Sequence, residues 1–146
     1  MAVESKFLEY FEPKRPEFSD AYKCMAPPVS EPYWWTVCVE SWGSSPRHLD
    51  RAQLVKHYFG LRRLQEAATR TPNLTLLYLF WEPANWGEIE ECREHRREVK
   101  EFAEKIATSS IPFRSMTYAQ LWQEWTESPD LAEHASNLKA RYEVCI

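Results

Sequence analysis

The stretch Leu74 to Trp81, LTLLYLFW, constrains the fold more than any other part of the chain. It is apolar at every position but one, so both of its faces need cover. A strand of this kind belongs in the middle of a sheet with helices on its faces. Its neighbours fit that arrangement. Leu49 to Thr69 reads as a helix with Asp50 as cap and Leu54, Leu61, Leu64 and Ala68 on one face. A second long helix follows Asn85, with Glu88 as capping-box partner and Ile89, Cys92, Val99, Phe102, Ala103 and Ile106 as its apolar stripe.

Ala2 to Leu8 reads as a first strand and Ile111 to Met116 as a short strand at or near an edge. Tyr33 to Glu40, YWWTVCVE, is rich in aromatic and β-branched residues and is expected to be a strand as well. Thr117 with Gln120 and Asp130 with Glu133 mark the starts of two C-terminal helices, the last with Leu131, Ala135, Leu138 and Tyr142 along one side. Residues 12 to 32 are proline-rich and read as a long loop with a short helix near Ser19 to Lys23. Strands alternating with long helices give an α/β fold with a mixed or parallel sheet flanked by helices. The 146 residues suit one domain, 1–146.

Composition removes several function classes. Three glycines and no G-x-G-x-x-G or Walker-type pattern argue against a phosphate-cradling glycine loop. Eighteen basic residues against 22 acidic ones give a net charge of −4, so the chain as a whole does not advertise nucleic-acid binding. A nuclease can still concentrate positive charge on one face. Cys24, Cys38, Cys92 and Cys145 form no C-x-x-C pair and no zinc spacing, and are expected to be reduced thiols. The N-terminus lacks a signal-peptide pattern and no stretch has the length of a membrane span, so a cytoplasmic location is expected.

The pattern that points to chemistry is Glu4-Ser5-Lys6. On a strand, residues two apart share a face, so Glu4 and Lys6 lie side by side. A carboxylate can hold a hard divalent cation. A neighbouring ammonium can orient water and stabilise charge growing on a phosphate. Alone, such a pair is more often a solvated surface ion pair.

The stretches AVESKFLEYF, FSDAYKC, HLDRAQLVKHYFGL and LLYLFWEP, in this order, resemble the PD-(D/E)XK nuclease-like superfamily over nearly the whole chain, and within it bacterial restriction-endonuclease-like proteins. The resemblance matches Glu4 and Lys6 to the (D/E)-x-K element and Gln53 to a helical glutamine that positions the site or the substrate phosphate. It implies a restriction-endonuclease-like fold, Mg²⁺ or Mn²⁺ as cofactor with Glu4 as metal ligand, and DNA as substrate. Lys56 is an auxiliary candidate there, and Glu82, for its place just after the central strand where functional residues gather in open α/β sheets, is another. Family members carry an Asp ligand on a strand before the E-x-K strand, and only Met1, Ala2 and Val3 precede Glu4 here. The chain is therefore expected to be N-terminally truncated relative to the family, with an open sheet edge that a homodimer or protein partner fills. It is further expected to be a DNA endonuclease that is inactive as an isolated chain if nothing replaces that Asp. The alternative is a nuclease-derived protein-binding or inhibitory module.

Other conspicuous residues have plain readings. His57 is a minor candidate for a phosphate contact; lacking an identifiable carboxylate orienter, it reads as structural or exposed. Trp34, Trp35 and Trp42 read as packing before base stacking. The helix face bearing Glu90, Arg93, Glu94, Arg97, Glu98 and Glu101 reads as solvated i,i+3 and i,i+4 pairs, with Arg93, Arg96 and Arg97 as minor candidates for a DNA backbone.

Overall fold

The computed structural model describes residues 1–23, 32–41, 44–69 and 73–146. The sheet has three parallel strands in the order β1 (Ala2–Lys6), β2 (Leu76–Phe80), β3 (Phe113–Thr117). Glu4 stands opposite Tyr78, which stands opposite Ser115; Lys6 stands opposite Phe80, which stands opposite Thr117. The all-apolar stretch is thus the central strand, and β1 and β3 are its edges among the described residues. This is the α/β arrangement expected of a restriction-endonuclease-like fold, with a wholly parallel sheet. Among the described residues no helix is long and apolar enough to cross a membrane.

The six helices of the described chain are α1 (Asp20–Lys23), α2 (Pro32–Ser41), α3 (Arg51–Ala67), α4 (Glu90–Lys105), α5 (Tyr118–Thr126) and α6 (Ala132–Tyr142). On one face of the sheet, Leu76, Tyr78 and Phe80 meet a core built from Trp34, Leu54, Tyr58, Val99 and Phe102. On the other, the buried Trp81 stacks on Phe7, whose ring also meets Tyr142, and Ser5 is hydrogen-bonded to Tyr118. Ala2, Glu4 and Lys6 share the face that looks toward α3, as the period of two requires.

The segment Tyr33 to Glu40 is helical, which corrects the strand expected there. Trp34, Val37 and Cys38 are buried while Tyr33, Thr36, Val39 and Glu40 are exposed. That is i, i+3, i+4 spacing, and strand alternation would have buried a different set. Trp34 is fully enclosed, stacked on Tyr58 at 4.1 Å and edge-on to Phe102, with its indole N–H donated to Ser109 Oγ at 2.7 Å. Trp35 packs against the same core. Trp42, Cys24 and part of the predicted loop lie outside the described residues.

Helix ends also differ in detail. Asp50 caps α3 as expected, its Oδ1 accepting from the Gln53 N–H at 2.9 Å. Leu64 and Ala68 are exposed and leave the expected apolar face of α3. Asn85 and Glu88 form no capping box. Asn85 precedes a 3-10 turn, and its amide is engaged by both backbone groups of Ile146. Nor do Asp130 and Glu133: α6 begins after Leu131 with no side-chain cap. The Thr117–Gln120 box at α5 is fully formed, with Gln120 N–H to Thr117 Oγ1 at 3.1 Å and Thr117 N–H to Gln120 Oε1 at 2.8 Å. Thr117→Ala is expected to cost about 1 kcal/mol in urea unfolding, and Thr117→Ser much less; equal losses in both would mean the methyl packing, not the cap, is the source.

Cys38 and Cys92 are buried free thiols and Cys145 an exposed one. Burial pushes the Cys38 thiol up to about 11, so it is inert as a nucleophile.

Candidate functional site

Strand β1 projects Glu4 toward helix α3, where the carboxylate is held from two sides. Lys6 Nζ lies 2.8 Å from one oxygen and His57 Nε2 lies 2.6 Å from the other. Glu4 is 8% exposed, so this is a nearly enclosed anion whose charge is met by fixed partners. Gln53 sits one helical turn before His57 and brings its amide to 3.4 Å from His57 Nε2. Glu4, Lys6, His57 and Gln53 thus form one cluster. Opposite Glu4 on the central strand stands Tyr78, whose hydroxyl is hydrogen-bonded to His95 at 2.8 Å. Burial and the nearby Glu4 charge push the Tyr78 phenol far up, so it stays protonated.

The structure therefore brings Glu4, Lys6 and Gln53 together and adds His57. The carboxylate that orients this histidine is Glu4 itself, 53 residues away in sequence. The i,i+4 spacing of Gln53 and His57 is visible in the chain. The carboxylate partner is not, because the packing of α3 on the edge strand supplies it.

Lys56 points to a different surface: it lines the two cavities beside α3, with its ammonium 5.8 Å from the centre of the Phe18 ring. Glu82 is held elsewhere again. Its carboxylate takes both arms of the Arg96 guanidinium, which in turn lies 3.8 Å over the Trp86 ring. This is a structural clamp between the end of β2 and helix α4. Arg93 donates to the Gly87 carbonyl, and Arg97 pairs with Glu94 and Glu101, in keeping with a solvated helix face. Glu98 departs from that face: it is buried, accepting the Leu49 N–H at 2.8 Å and facing Arg47 at 3.5 Å.

A Mg²⁺ or Mn²⁺ ion needs several hard oxygen ligands. Here Glu4 is the cluster's one carboxylate, and both of its oxygens are already engaged by nitrogen groups. Among the described residues no group of three or more His, Cys, Asp and Glu is placed to hold a metal ion. These residues on their own do not fit the divalent cation that the resemblance implies.

No curated protein and no solved structure matches the chain. A family model described as Restriction Endonuclease associating with ARP matches residues 1–143. The match starts at residue 1 and gives no indication of the truncation expected above. A parallel α/β sheet with an E-x-K strand on its edge, matched over almost its entire length by this model, places the chain in the family of restriction endonucleases associating with ARP, within the PD-(D/E)XK-like nucleases.

Proposed function

We propose that the chain is a DNA endonuclease-like phosphodiester hydrolase whose reacting centre is Glu4, Lys6 and His57, with Gln53 as a positioning residue. The observation that carries the reading is the Glu4 carboxylate gripped between Lys6 and His57. Glu4 accepts the Nε2 proton of His57 and so fixes the tautomer in which Nδ1 carries the lone pair. That nitrogen takes a proton from water as the water oxygen attacks phosphorus. Lys6 stabilises the charge that collects on the phosphate oxygens while the bond to the leaving oxygen breaks. The leaving oxygen is protonated from solvent. A dependence on Mg²⁺ or Mn²⁺, expected from the family, would require oxygen ligands from outside this cluster, such as the substrate phosphate or a partner chain.

The test is nicking of supercoiled plasmid by the purified chain with Mg²⁺, with Mn²⁺ and with a chelator. Glu4→Gln, Lys6→Met and His57→Ala are each expected to lower the rate by about 100-fold. Rates unchanged in all three variants, or no nicking under any of the three conditions, would sink the reading.

A second reading is favoured by the outer edge of β1. Among the described residues it pairs only with β2, and Val3 is 47% exposed beside it. A binding module would use that edge to take a strand from a partner chain or a second copy. The family description speaks of association with ARP, which suits such a role. Absence of nicking together with a stable complex through β1 would select it.

A further inference from the structure

Two cavities lie end to end along α3. One, of about 400 Å³, is bordered by Lys14, Arg15, Gln53 and Lys56; the next, of about 260 Å³, by Tyr22, Lys56, Gly60 and Arg63. Lys56 borders both, so the two adjoin at its side chain and together line one side of α3. The near end of this groove is Gln53, which touches His57. The groove therefore ends at the side of Gln53, next to the Glu4–Lys6–His57 cluster but on the neighbouring surface of α3.

The walls are positioned by identifiable contacts. Lys14 exchanges two backbone hydrogen bonds with Arg47, at 2.9 and 3.0 Å, which straps the segment after β1 across the approach to α3. That strap holds Lys14 and Arg15 over the first turns of the helix. Gln53, Lys56, Gly60 and Arg63 follow at spacings of three, four and three, which is a single helical face. Gly60 sits in the interior of α3, where glycine costs about 1 kcal/mol relative to alanine. Nothing lies within 4 Å of where its Cβ would be, so no tight packing calls for it. The space it leaves is the floor of the groove.

The charge is concentrated against the trend of the chain, which is −4 overall. Four cations, Lys14, Arg15, Lys56 and Arg63, border the groove with two carboxylates, Glu17 and Asp50. Asp50 is already committed to the α3 cap. From Lys56 to Arg63 the helix rises about 10 Å. A DNA strand advances about 3.4 Å per phosphate along its axis, so this length spans about three phosphates.

We propose that this groove seats the sugar–phosphate backbone of one DNA strand, with Lys14, Arg15, Lys56 and Arg63 as its phosphate contacts. The inference rests on the nuclease reading for its substrate class, but binding alone tests it. Affinity of the full chain for a fluorescein-labelled DNA duplex is measured by anisotropy across a salt series. The double variant Lys56→Gln/Arg63→Gln is expected to bind about 10-fold more weakly at low salt. Its slope of log affinity against log salt should be smaller by about 2, since each phosphate left without its cation lowers that slope by about 0.9. Gly60→Glu fills and repels without disturbing the core. It should weaken binding to a similar degree with the melting temperature unchanged or slightly raised, since glutamate is the better helix former.

Unchanged affinity and slope in both variants overturn the groove, as does a wild-type chain that fails to bind duplex at all. Plasmid nicking that survives with unaltered affinity in the groove variants would remove the groove and keep the hydrolase. Groove-dependent binding without nicking would keep the groove and remove the hydrolase.

Discussion

Trp34→Ala is expected to destabilise the protein by about 3–5 kcal/mol, lowering its melting temperature by roughly 10 °C or more. The indole is fully enclosed and is the joint between three helices. It stacks on Tyr58 of α3, meets Phe102 of α4 edge-on and ties Ser109 beyond α4 through its N–H. Truncation opens a cavity the size of an indole, removes two aromatic contacts and leaves the Ser109 hydroxyl to find another partner. Trp34→Phe keeps part of the stack and should lose less. Thr36→Ala, on the exposed side of the same helix, should fall within about 0.5 kcal/mol of wild type. Urea unfolding of the three variants decides. Were α2 a strand, Thr36 would share the face of Trp34 and its loss would be felt; comparable costs at 34 and 36 would refute the helical packing.

Acidification below neutral is expected to destabilise the fold through His95. This imidazole has no exposed surface, lying against Tyr10 at 4.0 Å and edge-on to Phe80, with Tyr78 on its Nε2. Burial, with smaller contributions from the charges of His48 and Arg96, depresses its proton affinity from 6.5 to about 3. The unfolded chain takes up that proton near 6.5 and the native chain does not until about 3. Between these values the unfolded state binds the extra proton. Stability is therefore full above about 6.5 and falls with decreasing pH by up to about 1.4 kcal/mol per unit. Between pH 7 and pH 5 the loss from this group is about 2 kcal/mol. His95→Gln should be less stable than wild type at neutral pH but should lack this part of the acid slope. Urea midpoints at the two pH values for both proteins provide the comparison, and parallel acid slopes would rule out His95 as the source. The Nδ1 of His95 has no hydrogen-bond partner in its buried site, which adds to the cost of a proton there.

The parts of the fold that can be read in the sequence are those whose apolar pattern is unambiguous. LTLLYLFW has no polar face to lose, and Glu4 and Lys6 follow from a period of two once β1 is a strand. Helix α4 declares itself by strong contrast between faces. Helix α2 does not, because its exposed side carries Tyr33 and Val39, so little polarity separates the two sides and β-branched residues dominate the local preference. Tertiary packing of Trp34, Val37 and Cys38 overrides that preference. The same distinction runs through the site. Gln53 is found by its place in a motif. His57 reads in the sequence as structural or exposed because its carboxylate, Glu4, arrives only when the edge strand packs beside α3. Glu82 attracts notice for its position after a strand, although its charge is consumed by Arg96. The caps divide likewise: Thr117–Gln120 stands alone and forms, while Asn85 is drawn away by the backbone of a residue 61 positions on.

The position of β1 at the margin of the sheet ties the chemistry to a question of breathing. Its five residues are hydrogen-bonded to β2 and, among the described residues, to no strand on the outer side. Brief detachment of this one ribbon would carry Glu4 and Lys6 away from His57 while the core around Trp34 and Phe102 stayed closed. Such partial openings need less energy than global unfolding. A ligand or neighbouring strand that holds β1 closed therefore sets the fraction of molecules with an assembled centre, and amide exchange at Ala2 to Lys6 would report that fraction directly.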